Sequence, residues 1–119
     1  MSGNTIFINI PVKPYYPISM FVHTVYFWLH DSATAADRSF FEQQLQQLST
    51  IEHIHTAYVG VPAPTRREVI DSSYDYSITF IFKSQVEQDL YQPHPAHKAF
   101  VDKCAHLWRK VQVYDAIPF

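Results

Sequence analysis

An α+β fold with the element order β-α-β-β-α-β is predicted by three features of this sequence. Strand-like alternation of apolar and polar residues recurs in four separated stretches. Two helical stretches interrupt them, one after the first strand and one after the third. The 119-residue length suits one domain, and 47% hydrophobic with 17% charged residues is ordinary for a chain that buries a core.

Residues 1–19 stand apart. Pro11, Pro14 and Pro17 fix φ and remove donors, so this segment cannot form a long helix; a strand-like patch covers residues 5–10. It is expected to be an extended arm, either a loose tail or an added edge strand or wrap onto a partner chain. The folded domain is expected to span residues 20–119.

The first strand is residues 21–29, dense in β-branched and aromatic side chains. Asp31 and Ser32 are placed to cap a helix whose Phe41, Leu45 and Leu48 share one face. Residues 54–61 form a second strand, ended by Pro62 and Pro64, and a polar loop follows over 65–73. Residues 74–82 alternate as a third strand, and 84–91 make a short helix. Pro93 breaks it, a further helix runs over about 95–108, and 110–116 is the last strand. This order favours a four-stranded antiparallel sheet with helices on one face.

Successive strand residues face opposite sides. His23, Val25, Phe27 and Leu29 share one face of the first strand, and Tyr76, Ile78, Phe80 and Phe82 one face of the third; these more apolar sets are expected under the helices. Tyr26, Trp28, Tyr58 and Tyr114 collect on the other face with Thr24, Thr56 and Thr79. Helices cover only one side. A second copy of the sheet is the simplest cover for so large an aromatic patch, so a homodimer through the sheet faces is expected.

Three stretches carry a family signal: Met20-Phe21-Val22-His23-Thr24-Val25-Tyr26-Phe27, then the third strand from Tyr74-Asp75-Tyr76 to Phe82, then Tyr91-Gln92-Pro93-His94-Pro95-Ala96-His97-Lys98-Ala99-Phe100 with a last strand ending Val113-Tyr114-Asp115. Together they resemble the stress-responsive α/β-barrel domain family, Dabb, over residues 20 to about 116. The resemblance implies a ferredoxin-like monomer whose sheet pairs with that of a second copy into a dimeric α/β barrel.

Seven histidines are present, and His is the side chain best suited to exchange protons near neutral pH. His23, Tyr76, Tyr91 and His97 are expected to line one cavity between sheet and helices, with Phe27 and Ile78 as its apolar lining. One plant enzyme of the family closes a linear polyketide by an aldol-type condensation without metal or cofactor. The resemblance to it implies His97 as base, Tyr91 as hydrogen-bond donor and His23 in the pocket, because a base must remove a proton beside a carbonyl while a donor meets the enolate oxygen. This chain departs from that enzyme at Tyr76, where the enzyme has a pocket histidine. The string also has a structural reading: His94 caps the helix that Pro95 begins, and His97 hydrogen-bonds a buried carbonyl. Three functions follow: a binder of a small organic molecule, a cofactor-free cyclase or isomerase, or a purely structural stress protein.

Other classes fit poorly. Nine Lys and Arg with a net charge of −2 give no nucleic-acid footprint. No apolar run approaches a membrane span, and the first apolar stretch lacks a preceding positive region, so a cytoplasmic protein is expected. Cys104 is the lone cysteine and is expected in the core. The pairs His53/His55 and His94/His97 lack an obvious third ligand, and the two glycines supply no Gly-rich phosphate loop, so neither metal nor cofactor is expected.

Overall fold

A computed structural model describes residues 20–119; the arm expected over residues 1–19 lies outside the described residues. Four strands, β1 (Phe21–Leu29), β2 (Thr56–Gly60), β3 (Tyr76–Phe82) and β4 (Trp108–Ala116), form one antiparallel sheet in the order β2-β3-β1-β4. Helices α1 (Ala35–Leu48), α2 (Gln85–Tyr91) and α3 (Pro95–Cys104) supply the helical layer. The core lies between it and the sheet: Phe27, Phe41, Phe100 and Trp108 meet there with ring centroids 5.2–6.3 Å apart. Complete burial of a ring such as Phe41 contributes roughly 2–3 kcal/mol.

The expected faces are the observed ones. Along β3 buried and partly buried residues alternate, with Tyr76, Ile78, Phe80 and Phe82 inward. Cross-strand pairing sorts the inner face into rows: Ala57, Phe80, His23 and Asp115 make one, and Val59, Ile78, Val25 and Val113 the next. On the outer face Tyr58, Thr79, Thr24 and Tyr114 form a row across all four strands.

Several boundaries differ from expectation, among them that of β3, which starts at Tyr76 and not at residue 74. Thr34, not Asp31 or Ser32, caps α1, because Thr34 and Asp37 close a reciprocal box: Asp37 N–H donates to Thr34 Oγ1 (3.1 Å) and Thr34 N–H to Asp37 Oδ2 (3.0 Å). β2 is shorter than residues 54–61, starting at Thr56 and ending at Gly60. α3 ends at Cys104, and a 3-10 turn (Ala105–Leu107) delivers Trp108 to β4 rather than to the helix. A register shift between Trp28 and Leu29 pairs Leu29 with Trp108, and the indole packs into the core.

The loop over residues 61–75 folds back onto the outer face. Asp75 pins its end: its carboxylate accepts from Leu29 N–H (2.7 Å) and from Arg38 (3.1 Å), and its own N–H donates to the Phe27 carbonyl (2.9 Å). Trp28 Nε1–H donates to Ser73 Oγ (3.1 Å), and the indole is 8% exposed. Part of the outer aromatic patch is therefore covered by the chain itself, whereas Tyr58 and Tyr114 remain about 60% exposed (62% and 60%).

Candidate functional site

The break between α2 and α3 builds the site. α2 stops after Tyr91, and Pro93 has no N–H to continue it. His94 restarts the chain as N-cap of α3, its Nδ1 accepting from Ala96 N–H at 3.0 Å, with Pro95 in the first turn. The turn brings Tyr91 and His97 together, ring centroids 4.8 Å apart, above the inner face of β1. Tyr91 also contacts His23 edge-on at 6.0 Å and packs against Phe80 and Phe82.

These groups border a cavity of about 160 Å³. Five of the six expected site residues line it: His23, Phe27, Ile78, Tyr91 and His97. Val111 and Val113 of edge strand β4 form a further, partly exposed wall.

Tyr76 is the exception. It shares the inner face but lies opposite Phe27, whereas His23 lies opposite Phe80, so the two sit in different rows. Its hydroxyl donates to Glu42 Oε2 (2.7 Å), and it borders a separate hollow with Leu45, Val59 and Val61. Burial and the Glu42 carboxylate push the phenol up to about 12.

Two electrostatic features define the cavity. Burial holds the His97 imidazole below the usual histidine value; backbone hydrogen bonding at Gln92 opposes this, and the nearby His23 and His94 add to it. His97 is therefore a neutral base at pH 7. Burial likewise raises the Tyr91 phenol well above its usual value, so it stays a protonated donor. Cys104, packed in the core as expected, has its thiol pushed to about 11 by burial.

One group escaped the sequence reading. Asp115 stands directly opposite His23, and Asp115 Oδ1 lies 2.6 Å from His23 Nδ1. A carboxylate only accepts, so Nδ1 carries the proton and Nε2 is the nitrogen left for a ligand. The sole sequence signal was the strand ending Val113-Tyr114-Asp115, since register is invisible until the strands are paired.

The histidines weighed as metal pairs are engaged elsewhere: His53 Nδ1 meets Glu87 at 2.9 Å, and His94 Nε2 meets Glu52 at 3.2 Å. Among the described residues no group of three or more His, Cys, Asp or Glu is arranged to hold a metal ion, and no helix is long and apolar enough to cross a membrane.

Residues 21–118 match the family model described as Dabb, stress responsive A/B barrel domain. No curated protein matches the chain. Among solved structures, a Dabb family protein with a ferredoxin-like fold from Mesorhizobium loti is 25% identical, covering 84% of this chain and 97% of its own at a TM-score of 0.69. A dimeric ferredoxin-like protein of unknown function from Thermobifida fusca is 17% identical (83% and 91% covered, TM-score 0.68). A hydroxynitrile lyase from Passiflora edulis is 13% identical (87% and 96% covered, TM-score 0.73). At the last two identities the likeness concerns the fold, which does not by itself carry function.

Proposed function

This chain belongs to the Dabb family of stress-responsive A/B barrel domains, and from that premise we propose that it is a cytoplasmic homodimer holding a small organic molecule between sheet and helices. One observation carries the binding reading. Tyr91 borders the cavity and is 1% exposed, and its hydroxyl has no hydrogen-bond partner among the described residues. An unpaired buried hydroxyl costs about 1–3 kcal/mol, which an acceptor oxygen on a ligand would recover. The aromatic and aliphatic walls select an apolar body. The volume of about 160 Å³ selects its size, since a cavity of about 150 Å³ holds one benzene ring.

The neutral imidazole of His97 beside this donor favours a second reading, cofactor-free proton transfer. With a ketone or aldehyde in the cavity, Tyr91 O–H would donate to the carbonyl oxygen. His97 would take a proton from the adjacent carbon, leaving an enolate held by Tyr91, and return it in the reverse step. His23, fixed through Asp115, would orient the substrate with Nε2.

The dimer reading rests on the outer row of Tyr58, Thr79, Thr24 and Tyr114, and on the dimeric state of the Thermobifida fusca neighbour. A single buried thiol with no second cysteine to pair with is compatible with the reducing compartment that cytoplasmic placement implies.

A panel of one-ring and short-chain carbonyl compounds, followed by thermal shift and by deuterium exchange beside the carbonyl, tests both readings. A ligand at a hundred times its Kd should stabilise the fold by about 2.7 kcal/mol. Saturable binding lost in Tyr91→Phe supports the binding role, and deuterium exchange lost in His97→Ala adds catalysis. No binding across the panel would leave the structural stress protein as the function.

A further inference from the structure

His94 is tied to both of the groups that meet above the cavity. Its backbone N–H donates to the Tyr91 carbonyl (3.1 Å), and its own carbonyl accepts from His97 N–H (2.9 Å) and from Lys98 N–H (3.0 Å). A change in the conformation of His94 therefore reaches Tyr91 and His97 through the main chain. Its side chain is 22% exposed, so protons from bulk water reach the ring.

Both ring nitrogens are engaged, and together the two bonds fix one protonation state. An amide N–H only donates, so Nδ1, 3.0 Å from the Ala96 nitrogen, must offer its lone pair. A carboxylate only accepts, so Nε2, 3.2 Å from Glu52 Oε1, carries the proton. Neutral imidazole has one donor and one acceptor nitrogen and satisfies both partners. Imidazolium has two donors and no lone pair. Its Nδ1–H would face the Ala96 N–H, and no rotation of the ring restores an acceptor there. Ser, Thr or Asn in this position would keep an acceptor oxygen in acid; a histidine cap does not.

We propose that His94 is a proton-operated cap: acid removes the acceptor that holds the first turn of α3 and so loosens the placement of Tyr91 and His97 on the cavity. Among the described residues the titratable groups around the ring are Glu52 and His53 of the loop between α1 and β2, Glu87 of α2, and His97 and Lys98 of α3 itself. Most of them favour release. The helix N-terminus opposes a cation, and so do the neighbouring bases. His53, with its ring centroid 6.0 Å from that of His94, is held by Glu87 at 2.9 Å. Glu52 pulls the other way. Hydrogen bonding within its own backbone holds its carboxyl below the usual range, and His94 and His53 add to this, so it is an anion beside the imidazolium. Its side chain is 71% exposed, however, and water screens that attraction. The cap itself needs no ligand; only its consequence for binding rests on the function proposed for the cavity.

Nitrogen-15 NMR of the ligand-free full chain at pH 7.5 and pH 5 tests the proposal, so that a cavity that binds nothing leaves the test intact. At pH 7.5 the neutral His94 ring should carry its proton on Nε2, the opposite nitrogen to His23. At pH 5 the protection of the Ala96 amide against hydrogen exchange, corrected for the intrinsic rate, should fall by at least about tenfold, with the His97 amide following. His94→Asn keeps an acceptor that acid does not remove and should abolish the fall. His53→Gln should retain it. A neutral ring protonated on Nδ1, unchanged Ala96 protection in the wild type, a fall that survives His94→Asn, or a fall lost in His53→Gln would each overturn the assignment.

Discussion

His23 Nδ1 and Asp115 Oδ1 lie 2.6 Å apart, a hydrogen bond between directly opposed residues of the central strand β1 and the edge strand β4. The imidazole is buried while the carboxylate is partly exposed, so the pair fixes a ring in the cavity from its rim. Asp115→Ala should release the ring and lower stability by about 1–2 kcal/mol, or roughly 4–15 °C in melting temperature for a domain of this size. Nitrogen-15 NMR of the histidine rings checks the cause. The neutral His23 ring should carry its proton on Nδ1 in the wild type and redistribute it to Nε2 in the variant. An unchanged tautomer would mean that Asp115 does not orient the ring.

The lowered value of His97 makes a prediction about acid. Its ordinary value is 6.5 and burial lowers it in the fold, so the unfolded chain binds more protons at this group through the window below about 6.5. The buried neutral ring therefore costs nothing above 6.5, and stability falls as pH drops from there through the folded value. Melting curves from pH 7.5 to 5 should show a smaller acid loss in His97→Gln than in the wild type. The histidines remote from His97 are common to both proteins and cancel, while the coupling of His23 and His94 to His97 is part of the difference read. Parallel slopes would show that His97 titrates in the fold as it does in the unfolded chain.

Tyr76→Phe separates face from row. Removing the hydroxyl deletes the bond to Glu42, a carboxylate exposed enough to be rehydrated, so the cost should be about 0.5–1.5 kcal/mol. Binding of any ligand in the His97 cavity should be unchanged, because Tyr76 does not border it. A loss of affinity beyond threefold in isothermal titration would return Tyr76 to the site.

These residues show where sequence reading succeeds and where it stops. Alternation gives the face of a strand residue, because side chains point to opposite sides at period 2. It placed His23, Phe27 and Ile78 correctly under the helices. It does not give the row, which depends on register between strands distant in sequence. Tyr76 was therefore grouped with His23, and Asp115 was not seen as its partner. The Tyr91–His97 contact was legible because both lie within one short helix break whose Pro93 and Pro95 leave the chain few conformations. The end of α3 was not. Phe100, Cys104 and Leu107 continue a helical apolar spacing, yet the chain tightens to a 3-10 turn after Cys104 and Trp108 enters β4. Periodicity cannot distinguish a residue that packs on the core from a helix from one that reaches it from a strand. Trp28 lay on the expected face, but its cover by Ser73 depends on a loop path and that by Lys110 on the register between β1 and β4, neither of which a local pattern encodes.

The outer row carries the prediction about assembly. Tyr58 lies at one edge of that row and is 62% exposed, with Thr79 and Thr24 between it and Tyr114. If a second sheet covers this row, a charge at its centre must be buried unpaired in the dimer while remaining hydrated in the monomer, a cost of several kcal/mol. Thr24→Asp should therefore convert the protein from twice the chain mass to the chain mass in light scattering at micromolar concentration. Thr24→Val at the same position adds no charge and should leave the dimer intact, which distinguishes burial of charge from a general sensitivity of β1. A wild type that scatters as a single chain would overturn the dimer, and a Thr24→Asp variant that stays dimeric would place the interface elsewhere on the molecule.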